Sequence, residues 1–277
     1  MVKLLRSIAF PLLLTTILLS SCSKQNKDAS NYLETAKKAY KTGNYDQAKQ
    51  KIDSIKILFP KALDVISNAL VLLQDVRYSE NIQNIQFCDS ALQVDEHKLN
   101  KLKLQFTYVK DQYMEYGIYV PKIFPLEKAF EKNSLRSAVS EKGNFFIESV
   151  LSNSSINHNQ IRLTRNDTSY VESQKVTSDG LNYQVENYEI VRFTSKDANV
   201  IGQFVYAFQK EPLTLSFIGN KIIKTTLSDA NKKGIGLSFE LASLMKQMND
   251  LTIEKQKSMA LIEYLEFKND SIDQKIK

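Results

Sequence analysis

Apolar residues recur along this chain with two different periods, and the change between them divides it. Over 29–116 the spacing is helical, over 117–236 short β-branched and aromatic runs alternate with turn residues, and over 237–277 helical spacing returns. In the first stretch Tyr32, Thr35, Ala36 and Ala39 share a face, and Gly43 stands where a left-handed residue ends a helix. Asn44 is placed to cap the next helix, in which Tyr45, Ala48, Ile52 and Ile55 share a face. Pro60 closes that helix, because the residue before a proline is pushed out of the α region. Residues 29–62 therefore read as a helical hairpin.

From Lys61 to Tyr116 there is neither Gly nor Pro, so 63–116 is expected to form one long helical arm. Leu63, Ile66, Leu70 and Leu73 make a first apolar stripe. Ile85, Leu92, Leu99, Phe106 and Tyr113, interleaved with Cys88, Asp95, Leu102 and Val109, make a second. The stripes are out of register, which predicts a bend or break near Ser79-Glu80-Asn81. The second stripe has the alternating three- and four-residue spacing that asks for a partner helix. Residues 237–277 offer one, with Leu241, Leu244, Met248 and Leu251 followed by Lys255, Ser258, Ile262 and Leu265. Antiparallel packing of this coiled-coil-type helix on the arm is expected; the other reading of the same stripe is a homodimer through the helices.

In 117–236, Pro121 and Pro125 mark an extended connector and 126–134 a short helix. Strands are expected over 145–151, 161–164, 170–172, 182–185, 189–193, 200–208, 213–218 and 221–226. Lys142-Gly143-Asn144, Asp179-Gly180 and Gly219-Asn220 are the turns, the last a two-residue hairpin loop. Short alternating strands at this spacing fit an antiparallel β-sandwich or open barrel. Helices and strands segregate along the chain, which makes the fold class α+β.

The hairpin resembles a tetratricopeptide repeat, whose pattern ends in A-x3-F and then P over ~34 residues. Tyr32, Ala36, Ala48, Ile52 and Pro60 stand at its marked places, with the run Gly43-Asn44-Tyr45-Asp46-Gln47-Ala48 the most specific part; Thr35 and Ala39 depart from it. One repeat does not bury its own apolar face, so another element must cover it. In that family the groove side of the first helix binds peptides, which implies Leu33, Lys37, Tyr40 and Lys41 as candidate partner-binding residues.

The first residues carry a second resemblance. Lys3 and Arg6 form a positive n-region, 8–19 is an apolar run too short for a mature span, and Leu19-Ser20-Ser21-Cys22 follows. That tetrad resembles the lipobox of bacterial lipoproteins. The resemblance implies a signal peptide over 1–21, lipidation (palmitate among the acyl chains) at Cys22, and a polar tether over 22–28. Several acyl chains make such anchoring stable where one does not. Ser23 after the cysteine implies sorting to the outer membrane, and the absence of an acidic cluster there favours its periplasmic face. With Cys22 consumed, Cys88 has no disulfide partner and reads as a small core residue.

Candidate chemistry is sparse. A net charge of +6 is spread through mixed Lys, Arg, Asp and Glu without a basic run, which argues against nucleic-acid binding. His97 is expected on the outer side of the arm and His158 in a polar turn, neither with metal-ligand neighbours. No nucleophile elbow or phosphate loop is present, and Glu186 with Glu189 reads as a solvent-facing pair. No catalytic residue, metal or cofactor is expected. Tyr170, Tyr183, Tyr188 and Tyr206 form either an aromatic platform for a sugar or peptide, or ordinary cross-strand packing pairs. The layout resembles uncharacterised repeat-containing lipoproteins of Gram-negative envelopes. The implied function is a membrane-tethered scaffold or adaptor that binds an envelope protein or peptide without catalysis. The alternative is a glycan- or ligand-binding lipoprotein using the β-rich domain.

Overall fold

A computed structural model describes residues 9–166, 169–177, 182–185 and 187–276. The chain forms two compact units, Met1–Ser90 with Thr252–Lys277, and Ala91–Leu251. Helix α1 (Ala9–Lys41) runs through the expected tether and is followed by α2 (Tyr45–Leu58) and α3 (Leu63–Lys103). The turn between α1 and α2 is built from local signals. Gly43 has φ +73°, and the Gly43 and Asn44 amides donate back to the Tyr40 and Ala39 carbonyls, both at 2.9 Å. The Asn44 side chain then accepts from the Gln47 amide at 3.2 Å and caps α2.

The first unit buries Leu33, Ala36 and Ala39 of α1 and Ala48, Ile52 and Ile55 of α2 against Ala69, Leu72, Leu73 and Val76 of α3. A third helix thus covers the hairpin in place of a second repeat. Two apolar faces differ from expectation. Leu33 is inside and Thr35 is exposed, while Leu63 and Leu70 of the expected α3 stripe face outward. No break occurs at Ser79–Asn81, where α3 is continuous. Tyr40 Oη lies 3.0 Å from Ser79 Oγ and Lys49 Nζ 2.6 Å from Glu80 Oε1, fastening that turn to the hairpin.

The last helix, α5 (Asp229–Ile276), packs antiparallel on α3. In the first unit Tyr78 bonds Glu266 at 3.1 Å, Asn84 bonds Ser258 at 2.9 Å and Asp89 accepts from Lys255 at 2.5 Å. In the second, the buried Asp95 accepts from Gln247 at 2.6 Å and from Lys98 at 2.9 Å. Lys255 and Ser258, the weak points of the α5 stripe, are therefore polar ties to α3. The seam is filled by the chain's own helix. Cys88 is buried and unpaired.

The arm stops at Lys103, not Tyr116. Phe106–Val109 forms strand β1, which pairs antiparallel with β2 (Ile118–Pro121). No Gly or Pro signals that helix end; aromatic and β-branched residues simply gain more by pairing. The strands β3 (Ser134–Ser140), β4 (Phe145–Ser152), β7 (Asn182–Val185) and β8 (Tyr188–Thr194) complete a sheet ordered β1-β2-β3-β4-β8-β7. β5 (Gln160–Asn166), β6 (Ser169–Glu172), β9 (Thr214–Ile218) and β10 (Ile222–Thr226) form a second, ordered β10-β9-β5-β6. Both are antiparallel and neither closes into a barrel.

Between them, Leu135, Ile147, Leu151 and Phe193 of the larger sheet share a core with Ile161, Leu163, Leu215 and Phe217 of the smaller. One expectation fails here. Residues 200–208 are not a strand but most of helix α4 (Ser195–Ala207), because Ala198, Ile201 and Val205 recur at helical spacing and enter the core. The short helix expected over 126–134 is a five-residue 3-10 helix, Leu126–Phe130, and β3 follows it. The Gly219-Asn220 hairpin is real but has a three-residue loop, since Ile218 pairs with Ile222. Asp179-Gly180 lies outside the described residues.

Gly43→Ala places a Cβ in open space but on a left-handed backbone. It is expected to cost about 1–2 kcal/mol of stability, measured by denaturant titration followed by helical circular dichroism.

Candidate functional site

The larger sheet carries two polar constellations, one on each face, because adjacent residues of a strand point to opposite sides. On the core face Ser149 of β4 and Glu189 of β8 flank His158, which lies in the loop between β4 and β5. Ser149 Oγ is 2.7 Å from His158 Nε2, and His158 Nδ1 bonds Glu189 Oε1. The Glu189 carboxylate also accepts from the backbone amides of Ile156 and Asn157, each at 3.0 Å, and of His158. Neutral imidazole satisfies the set: Nδ1–H donates to Glu189, and Nε2 accepts from the serine hydroxyl.

The order serine, histidine, carboxylate is that of a hydrolytic triad, but the placement differs. Ser149 faces the hydrophobic core with 0% exposure, and the His158 ring stands edge-on to Phe217 at 5.2 Å. A cleft of about 390 Å³ is lined by His158 and Glu189, and Ser149 is not part of its wall. The group braces a loop in which Asn153 and Asn157 both take positive φ, and it pins that loop to β8. Gly219 admits it from the other side: a Cβ there would sit 2.3 Å from the Ile156 carbonyl oxygen, while the Asn220 amide donates to that oxygen at 2.7 Å.

On the outer face, Arg136 of β3, Glu148 of β4 and Arg192 of β8 stand directly opposite one another. Glu148, 1% exposed, accepts from Arg136 Nε at 2.5 Å and from Arg192 Nε at 2.7 Å. The row carries one net positive charge. Arg136 also donates to Tyr183 Oη at 3.2 Å, and the Arg192 guanidinium lies 4.4 Å from the centre of the Phe146 ring.

Arg192 opens into a cleft of about 1060 Å³ within the second unit. Tyr116, Lys142 and Phe146 line one side, and Asn199 of α4 with Ser243 and Lys246 of α5 the other. Lys142 Nζ sits 3.6 Å from the centre of the Tyr116 ring. Glu115 is also on the rim, and Lys246 is paired with Asp250 at 2.6 Å. The cleft thus combines aromatic surface with a guanidinium held in a fixed orientation and an exposed ammonium, a setting suited to an anionic group carried on an apolar body.

Residues singled out from the sequence distribute otherwise. Lys37 and Lys41 are exposed, but Leu33 is buried and Tyr40 is half-buried and bonded to Ser79, so the four do not form a continuous binding face. The Cys22 side chain and Glu186 lie outside the described residues. His97 is exposed as expected; His158 and Glu189 are buried, because each supplies what the other lacks once the chain folds. The four tyrosines form no common platform. Tyr170 is on the smaller sheet, Tyr206 is on α4, Tyr183 receives Arg136, and Tyr188 packs edge-on to Phe130 at 4.7 Å. Among the described residues no cluster of His, Cys, Asp and Glu could hold a metal ion, and no helix is long and apolar enough to cross a membrane.

No protein-family model, no curated protein and no solved structure matches this chain.

Burial holds the His158 imidazole below its ordinary value of 6.5, against the opposing pull of Glu189. The unfolded chain therefore takes up the proton first. The stability that His158 contributes is complete above about pH 6.5 and is lost as pH falls through the lower folded-state value. Denaturant titrations at about pH 7.5 and 5.5 are expected to show less of this acid loss in His158→Gln than in the wild type. Glu189→Ala, which strands three amides and the imidazole, is expected to cost about 3 kcal/mol or more at neutral pH in the same assay.

Proposed function

We propose that this protein is a lipid-anchored binding module of the bacterial envelope, tethered through Cys22, which recruits its partner without catalysis. The observation that carries the choice of docking site is the cleft around Arg192. Its guanidinium is fixed by a buried carboxylate and an aromatic ring, so binding there loses little side-chain freedom. The face implied by the repeat resemblance offers less, since two of its four side chains serve the unit's own packing. A polypeptide partner presenting a carboxylate beside an apolar side chain fits the cleft, which keeps the adaptor reading. A small anionic ligand is the second reading, favoured by the aromatic side chains of the cleft wall. The buried Ser149 supports the absence of hydrolytic activity.

Two measurements test this. Labelled palmitate is expected to enter the wild-type protein in bacterial cells and not Cys22→Ala. A photo-crosslinking residue replacing Tyr116 is expected to give a discrete adduct that Lys142→Glu abolishes, Lys142 being exposed and outside the fold's core. Adducts formed from positions 37 and 41 and not from 116 would return the docking site to the helical hairpin.

A further inference from the structure

The helical unit exposes an apolar tip at one end. Ile57, Leu58 and Leu63 are 76%, 52% and 71% exposed, and Pro60 between them is exposed as well. Across 56–63 the only ionisable residues are Lys56, which is paired with Asp53 at 3.2 Å, and Lys61; Asp64 follows the segment. Such a surface costs free energy in water and is more than the scattered single exposures common on soluble proteins.

Its place in the unit says what meets it. The α2–α3 connection lies at the start of the ordered hairpin, since Phe59 packs edge-on against Tyr32 of α1 at 5.4 Å and Ala29 is fully buried in the same core. Ala29 follows Cys22 by seven residues, about 10 Å of helix. The opposite end of the hairpin, at Gly43, has no comparable cluster: its neighbours Lys41, Thr42, Asn44 and Asp46 are polar and exposed.

We infer that Ile57, Leu58 and Leu63 insert into the interfacial layer of the bilayer that holds the acyl chains of Cys22. Lys61 reaches the phosphates, so the unit stands on the membrane at two points. This rests on the lipid-anchor reading of Cys22. Interfacial segments of this composition seat their apolar side chains ~5–10 Å below the headgroups, and long lysine stems keep their charge at the surface. Two attachment points fix the unit's inclination, which a single chain of linked residues does not.

The protein contains no tryptophan, so one introduced indole reports alone. Full-length lipidated Ile57→Trp, reconstituted in phosphatidylglycerol-containing vesicles, is expected to lose most of its emission when the acyl chains are brominated, and to emit to the blue. Phe87→Trp, 63% exposed on α3 and about 36 Å along the helix from Leu63, is expected to keep its emission. Adding Leu58→Glu and Leu63→Glu to Ile57→Trp, both at exposed positions, is expected to abolish the quenching while lipidation persists. Equal, weak quenching at positions 57 and 87 in a lipidated protein overturns the inference and leaves the anchor intact. A blue shift that follows protein concentration and ignores bromine assigns the tip to a second copy and likewise overturns it. A protein that carries no lipid overturns the anchor and this contact together.

Discussion

The antiparallel seating of α5 on α3 is the constraint on which both units depend. A two-helix hairpin has too little surface to bury its own apolar face, and α3 supplies the missing layer. That helix then has a second ridge to cover, carrying the buried Cys88 and Asp95. An unpaired carboxylate at such a position would be strongly destabilising, and Gln247 of α5 with Lys98 removes the penalty. The first turns of the same α5 bury Ile235 and Leu241 in the core of the β-rich unit and bring Ser243 and Lys246 to the cleft wall. One helix therefore closes a core and furnishes part of the cleft wall.

The β-rich unit shows how placement decides what a set of side chains can do. Glu148 and Ser149 are neighbours in sequence and face opposite sides of the sheet. On the outer side, Glu148 aligns two arginines, and the Arg192 guanidinium, held through both Nε and Nη2, is partly exposed on the cleft wall. On the inner side, Ser149, His158 and Glu189 have the hydrogen-bond order of a catalytic triad, but the serine hydroxyl is turned into the core, and a small cleft reaches only the histidine and the carboxylate. Their contribution is mechanical: a polar loop with two positive-φ asparagines is held against a hydrophobic core because every amide and ring nitrogen that it brings inside finds a partner.

Tethering and recognition occupy different parts of the chain in the function proposed above. In that reading the hairpin would follow the anchor, and it has an exposed apolar tip at the end near Ala29 and polar residues at the other. The cleft belongs to the unit built from the middle of the chain. The division agrees with the chemistry of each region: small residues and helical stripes where close helix packing is needed, and aromatic, basic and amide side chains where a ligand would be met.

The helical hairpin, its Gly43 turn and its Asn44 cap were legible in the amino-acid order, because each depends on groups within five residues of one another. So were the α+β layout, the return of the last helix onto the third, the burial of Cys88 and most of the strands between turn residues. The end of α3 was not, since Phe106–Val109 suits a helix stripe and a strand equally until β2 lies beside it. Nor was α4, whose apolar residues satisfy both periods until a core selects one face. The cleft and the buried brace were hidden for a further reason. Arg136, Glu148 and Arg192 meet only through the register of three strands, and His158 meets Glu189 across thirty-one residues, only when a loop folds back on β8. Local order decides elements whose turns and caps are contained in them; where a segment suits both periods the core chooses, and the pairing of distant strands decides which charges are buried together.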